Sequence, residues 1–385
     1  MREIELGRIV AEFPPDMGKG NPRNSEGAFL TLADGSIIFA FSRFRGKKHA
    51  DWAPSDICIV VSRDGGMTFG EERIVTACEA EGAVNAMSVS LMHMDNGDIG
   101  IFYLVRRTYT QIQMFVRRSR DGGQTWGERV LCTPQEGFFV VNNDRVTRLS
   151  DGRILIPAAC HRTGRDWNKE KGEVPDGQET VPSGDFIDSR SETVFFYSDD
   201  DAFTWNVSLG KCCMPYMANC QSGLQEPGIL ELGPGILWGF ARTDLGRQYE
   251  MYSVDNGNTW TGAQPSRFTA PNSPLSMKRD EETNDIYAVW NPVPEYNGRE
   301  KRSDIFTGGR TPYVIAVSKD NGKTFSAEAA FEWEKACGYC YCAIHFTKDA
   351  LLLGYNAGGP EDGSCLAKIR IRRIPRKELS GLFRS

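Results

Sequence analysis

The chain has 385 residues, of which 40% are hydrophobic, 11% aromatic and 25% charged, with a formal net charge of −6. That length holds two or three ordinary domains or one large repeat architecture, and aromatic residues spread throughout exclude disorder. The acidic balance argues against a nucleic-acid partner, and no apolar run reaches the roughly 18 residues of a membrane span.

The N-terminus, Met1-Arg2-Glu3-Ile4-Glu5, carries acids and lacks the apolar stretch of a signal peptide. Eleven cysteines, an odd number, point with it to reduced thiols in a cytoplasm. The run Glu3–Val10 reads as a strand without a local partner. Then comes GAFLTLADGSIIFAFSR, a hairpin, followed by the apolar strand DICIVV and the turn SRDGGMTF from Ser62. The same order recurs. MSVSLMHMDNGDIGIFYLVRR leads to IQMFVRR and SRDGGQTW from Ser119, and DRVTRLSDGRILIPAACHR to TVFFY and SDDDAFTW from Ser198, where Ala202 replaces a glycine. EPGILELGPGILWGFAR leads to QYEMY and SVDNGNTW from Ser253, and SPLSMKRDEETNDIYAVWN to YVIAV and SKDNGKTF from Ser318. CYCAIHFTKDALLLGYN closes the series with one further strand, Ala367–Ile374, and no box. Helical periodicity is absent apart from short pieces such as Ala327–Lys335.

Hairpin plus boxed hairpin makes four antiparallel strands. Four-stranded units repeated about an axis predict an all-β, six-bladed β-propeller as a single domain over 1–385. The last blade lacks its fourth strand, and pairing with Glu3–Val10 would close the ring and hide two sheet edges. The polar stretches Thr163–Ser189 and Pro294–Gly309 read as loops.

Chain direction then picks the functional face. The DG-type turns and the boxes share one end of the blades. The other end gathers the starts of first strands, the ends of second strands and the entries to third strands. First-strand starts carry Arg23, Glu26, Asp144, Arg145, Glu226 and Tyr341; second-strand ends carry Arg43, Arg106, Arg107, His161, Arg162 and Arg242; third-strand entries carry Asp51, Asp56 and Arg310. Arginines with carboxylates and a tyrosine at one mouth predict an anionic or polyhydroxylated ligand. Asp144 and Arg145 either pair with each other or reach that ligand.

The boxes resemble the Asp boxes of the sialidase superfamily, and the whole chain resembles a sialidase propeller without accessory domains. Box aspartates lie on the wrong face for chemistry and read as turn residues. The run Glu226-Pro227-Gly228-Ile229-Leu230-Glu231-Leu232, ending at Arg242, is similar to the family's Glu-x-x-x-Val-Glu-Leu…Arg. The resemblance makes Glu226 the base partner of the nucleophile and Arg242 a carboxylate clamp. Tyr341-Cys342-Ala343-Ile344 is similar to the segment around the family's tyrosine nucleophile, with Tyr339 as the substitute. Arg310 matches the last clamp, and Asp51, or its rival Asp56, the loop acid/base. The family's Arg-Ile-Pro is missing. Ser25 falls near its arginine, and a two-residue bulge would bring Arg23 there. Arg43, Glu26, Asp144, Arg145 and His161 complete the expected substrate-binding set.

The resemblance implies a retaining exo-glycosidase for a terminal sialic acid or related acidic sugar, acting on an anionic oligosaccharide or glycoside. An exo-glycosidase or lyase for another sugar, and a non-catalytic carbohydrate-binding propeller, are the alternatives. No cofactor or metal is expected. Cys340 and Cys342 face one side of a strand and His345 the other, so with Cys337 they do not converge. Asp199-Asp200-Asp201 belongs to a box, Cys212-Cys213 reads as packing, and no phosphate-binding glycine loop is present.

Overall fold

A computed structural model describes residues 1–165, 185–215, 217–294 and 306–383. The fold is all-β. The first sheet contains Asn24–Thr31, Ile37–Phe44, Ser55–Ser62 and Arg73–Thr76 in sequential antiparallel order. The fourth repeat gives the same arrangement with Gln225–Gly233, Ile236–Arg242, Arg247–Ser253 and Gln264–Thr269. So does the fifth, with Ser276–Arg279, Ile286–Trp290, Tyr313–Ser318 and Ala329–Glu332. The piece of helical character at Ala327–Lys335 is therefore a strand over Ala329–Glu332, whose side chains are all buried.

Two repeats are fused. Asn85–His93, Ile99–Thr108, Gln111–Ser119 and Val130–Leu131 form one unit; Thr147–Arg148, Ile154–Arg165, Asp185–Ser198 and Asn206–Val207 form the next. The short strand Phe138–Val140 joins them, parallel to Gln111–Ser119 and antiparallel to Ile154–Arg165. The expected loop Thr163–Ser189 begins and ends as this long hairpin. Its residues 166–184, and residues 295–305 of the second polar stretch, lie outside the described residues.

The last sheet holds Gly338–Phe346, Ala350–Gly358 and Ile369–Pro375, and its outer strand comes from the N-terminus. The expected partner Glu3–Val10 is divided, however. Arg8–Phe13 pairs with Ile369–Pro375, whereas Arg2–Glu3 pairs in parallel with Ala329–Ala330 of the fifth sheet. Leu6, 1% exposed, plugs the seam between them. Gly7 makes the bend at φ +60°, where an added Cβ would stand 2.3 Å from the Arg373 carbonyl.

The core lies between sheets. Phe29, Phe39 and Phe41 of the first sheet pack with Leu352 and Ile371 of the last. Ile38 and Ile59 pack with Leu91 and Ile101, Leu155 and Phe195 with Leu237 and Met251, and Trp238 and Phe240 with Ile286 and Val314. The boxes lock this stacking. In the first box Asp64 accepts hydrogen bonds from Ser62 Oγ at 2.8 Å, from the Met67 and Thr68 amides at 2.9 Å, and from Thr68 Oγ1 at 2.6 Å. The box glycine Gly66, at φ +81°, leaves room for Leu352, which an added Cβ would meet at 2.9 Å. In the box from Ser198, Ala202 adopts the same left-handed turn at φ 66° and still donates its amide to Ser198 Oγ at 2.8 Å.

Candidate functional site

One local device recurs at the end opposite the boxes. Glu26, Ser88, Asp144, Glu226 and Tyr341 all stand in the left-handed region, at φ 57°, 58°, 56°, 47° and 57°. None is glycine, and such strain concentrates at functional positions. Four of them sit in register shifts of the innermost strands, between Ser25 and Ala28, Met87 and Ser90, Gln225 and Gly228, and Cys340 and Ala343. A bulge re-aims the side chain of its residue out of the alternating pattern. Glu26, Ser88, Glu226 and Tyr341 consequently line one cavity of about 310 Å³.

Tyr341 and Glu226 meet at its centre. The Tyr341 hydroxyl donates to Glu226 Oε1 at 3.0 Å, and Arg242 Nη1 donates to the same oxygen at 2.7 Å and to the Tyr341 oxygen at 3.4 Å. Asn272 Oδ1 accepts from Arg242 Nε at 2.6 Å and fixes the guanidinium plane. Arg310 lies 5.2 Å from the Tyr341 ring centroid and donates to Cys340 Sγ at 3.2 Å. Burial pushes the Tyr341 hydroxyl pKa up, and the Glu226 carboxylate adds to this, while Arg310 and Arg242 pull the other way. Glu226 Oε2 is buried with no hydrogen-bond partner among the described residues.

The loop after Ile37–Phe44 brings Asp51 and Trp52 to the cavity. Asn85 Nδ2 anchors this loop through the Ala53 carbonyl at 2.7 Å. Arg23 holds it as well, donating from Nη1 to Asp51 Oδ1 at 2.6 Å and to the His49 carbonyl at 3.0 Å. Its Nη2 donates to Ser25 Oγ at 3.1 Å and reaches Glu26 Oε1 at 3.4 Å. At 1% exposed, and stacked 4.4 Å over Phe44, Arg23 is enclosed behind the two carboxylates rather than lining the cavity. Partial desolvation at the cavity opposes ionisation of Asp51, whose side chain is still 57% exposed, but Arg23 outweighs it and the carboxyl sits below its ordinary value. Glu26 behaves differently. Burial dominates over Arg23 and over the Ser88 hydroxyl, which donates at 2.9 Å, and the carboxyl is pushed up to about 7.

His161 also lines the cavity, its Nδ1 2.8 Å from the Asp188 carbonyl and its ring edge-on to Phe138 at 5.5 Å. Burial lowers its pKa. Four expected residues are not brought in. Arg43 points outward and pairs with Glu72 at 3.0 Å. Asp56 is buried against Arg45 at 2.7 Å and the Cys78 amide at 3.0 Å. Asp56, Cys78 and Glu79 converge in the manner of metal ligands, but Arg45, 2.6 Å from Glu79, already supplies the cation. Asp144 and Arg145 do not hydrogen-bond each other. Asp144 accepts from Lys278 at 3.0 Å and from the Ile344 amide at 3.1 Å, crossing between innermost strands, while Arg145 donates to the Leu275 carbonyl at 2.5 Å. Tyr339, buried against Tyr313, is likewise outside the cavity lining.

The sequence reading did not select Trp52, Ser88, Asn142 or, from its second-strand ends, Arg106, all of which line the cavity. Arg43 and Arg106 end corresponding strands. A one-residue difference in where the chain leaves the strand sends one out and the other in. Ser88 shows only as part of a strand, because no residue-type signal marks its bulge.

The BNR repeat-like domain matches residues 38–353, most of the chain. The chain belongs to the BNR repeat-like family of the sialidase superfamily. Sialidase-4 of Homo sapiens is 26% identical over 156 residues, which cover 38% of this chain and 28% of that protein, well under a third of its length. Among solved structures, the Hadza microbial sialidase Hz136 superposes with a TM-score of 0.69 at 17% identity, covering 96% of this chain and 68% of that one. The Trypanosoma rangeli sialidase in complex with sialic acid gives 0.66 at 15%, covering 98% and 59%. A Dyadobacter fermentans protein of unknown function gives 0.64 at 16%, covering 96% and all of that chain. At these identities the structural matches establish a shared sialidase-like propeller fold.

Proposed function

We propose that this family member is a retaining exo-glycosidase that releases a terminal sialic acid or related acidic sugar, built on a closed ring of six blades. One observation carries the reading: Tyr341, Glu226 and Arg242 form a single hydrogen-bonded cluster in a cavity that Arg310 and Asp51 share. A sugar acid carries its carboxylate beside the anomeric carbon, so a carboxylate nucleophile would be repelled. Tyrosine is neutral at rest, and sialidases are the recognised tyrosine exception among glycosidases.

In this reading Tyr341 Oη attacks the anomeric carbon as its proton passes to Glu226 Oε1, 3.0 Å away. The raised Tyr341 pKa means the phenolate forms only with that transfer. Arg242 and Arg310 clamp the sugar carboxylate with planar forks. Asp51 protonates the departing glycosidic oxygen, then takes a proton from the water that attacks the tyrosyl intermediate, and Glu226 returns its proton to Tyr341. Arg23 favours the ionised form of Asp51 that the water step needs, so the protonated form that the first step needs is populated toward acidic pH, where turnover rises. With Arg23 spent on Asp51 and Glu26, the carboxylate clamp rests on Arg242 and Arg310, which favours acidic sugars other than sialic acid as a second reading.

A fluorinated sialic acid donor followed by peptide mass spectrometry tests the assignment. The expected result is a covalent adduct on Tyr341. Full turnover by the Tyr341→Phe variant would reject it, and appearance of an unsaturated product in place of free sugar would indicate a lyase.

A further inference from the structure

The second and third repeats build a wall of the cavity that the proposed chemistry does not use. Arg106, at the end of Ile99–Thr108, is 2% exposed, yet it makes no ion pair among the described residues. Two of its nitrogens are held by backbone: Nη2 donates to the Tyr109 carbonyl at 2.8 Å and Nε to the Thr108 carbonyl at 3.4 Å. Those bonds fix the guanidinium plane and leave Nη1 for the cavity, which Arg106 lines. Trp52 and Phe138 flank it, with ring centroids 5.1 and 5.0 Å from the guanidinium carbon. Burial of a charge is costly, and the Asp51 carboxylate, which lines the same cavity, acts on Arg106 electrostatically but forms no ion pair with it, so the guanidinium keeps hydrogen-bonding capacity for a ligand.

Asn142 supplies an independent sign. It lines the same cavity at 3% exposed, and its Oδ1 accepts the Asn143 amide at 2.8 Å, which fixes the amide orientation. That leaves Nδ2 as a buried donor with no partner among the described residues. A cation oriented by backbone carbonyls and a pre-oriented neutral donor without a partner among the described residues together match an oxygen-rich anion. We propose that Arg106 and Asn142 form an oxyanion subsite that receives a second anionic substituent of the bound sugar, distinct from the carboxylate held by Arg242 and Arg310. The preferred substrate is then a sugar carrying two negative charges, one beside the anomeric carbon and one across the ring. This deepens the glycosidase reading and rests on it for the identity of the sugar, but the anion subsite stands on Arg106 and Asn142 alone.

Two measurements separate those layers. Inorganic sulfate is titrated against the intact protein by tryptophan fluorescence, with Trp52→Phe assigning the signal. The expected result is saturable binding that weakens at least tenfold in Arg106→Gln, is partly kept in Arg106→Lys and weakens far less in Arg242→Gln than in Arg106→Gln, with all variants folded by circular dichroism. Sulfate binding unaffected by Arg106→Gln, or abolished only by Arg242→Gln, overturns the subsite. Calorimetry then compares sialic acid with an N-malonyl analogue that carries a second carboxylate. The dianion should bind at least tenfold more tightly, and Arg106→Gln should erase that gain. Equal affinity for both sugars refutes the dianionic substrate. Sulfate binding through Arg106 with neither sugar bound keeps the subsite and rejects the sialidase reading.

Discussion

At the box end of the sheets, carboxylates are satisfied by their own turns; at the cavity end, polar groups built on the same strands are left short of partners. Asp64, Asp121, Asp200, Asp255 and Asp320 each accept from a serine hydroxyl two residues earlier and from the amide and hydroxyl of a threonine four residues later. Those bonds hold Asp64 and Asp320 down to about 2. Across the molecule, Glu226 Oε2 and Asn142 Nδ2 are buried without partners among the described residues, and Glu26 is pushed up to about 7. A repeat that closes on itself is a structural joint. One that leaves donors, acceptors and a nearly neutral acid facing a cavity is arranged for a ligand.

The largest expected effect lies at the cavity. Glu226→Gln should lower kcat on an aryl glycoside about 10³-fold, in the range of general-base loss, with KM changed far less. A drop under tenfold would remove Glu226 from the proton path.

Next comes the pH dependence of stability, where the two ends have opposite signs. Glu26 has a folded value of about 7, above its ordinary 4.5. Its stabilisation is complete below pH 4.5 and is lost as the pH rises toward 7, by up to about 3 kcal/mol. The box aspartates have folded values below the ordinary 3.8. Their stabilisation is present above that value and is lost as the pH falls through about 2. Denaturant unfolding between pH 4.5 and 7.5 should show a decline that Glu26→Gln flattens. An unchanged slope would show that Glu26 does not titrate in this window.

The smallest effect belongs to a box. Asp255→Ala should cost about 1 kcal/mol, comparable to losing a helix cap, and leave kcat within twofold. A large loss of activity there would erase the distinction between the two ends.

How much of this was legible in the sequence differs by element. The boxes repeat a residue pattern whose bonds are local, so five short segments announced both the turns and the strands on either side. Glu226, Arg242 and Arg310 were legible because they begin or end strongly apolar strands, which ties their place to chain direction. Arg43 and Asp56 were read by the same logic and lie elsewhere, because a strand end fixes which end of the sheet a residue occupies but not which side it faces. Arg106 was legible only as one of several arginines at second-strand ends, and Asn142 carries no pattern of its own. The split of the N-terminal run at Gly7 was equally hidden, since a glycine does not announce which two sheets it will separate.

The sequence by itself determined the all-β repeat, the order of the strands and the end of the sheets at which charged residues gather, because each of these follows from local periodicity and turn chemistry. The tertiary structure alone decided which of those charges share a cavity. That depends on four left-handed bulges and on contacts between residues more than a hundred positions apart, such as Tyr341 with Glu226. Local residue types cannot encode such meetings, because they exist only once neighbouring sheets have packed.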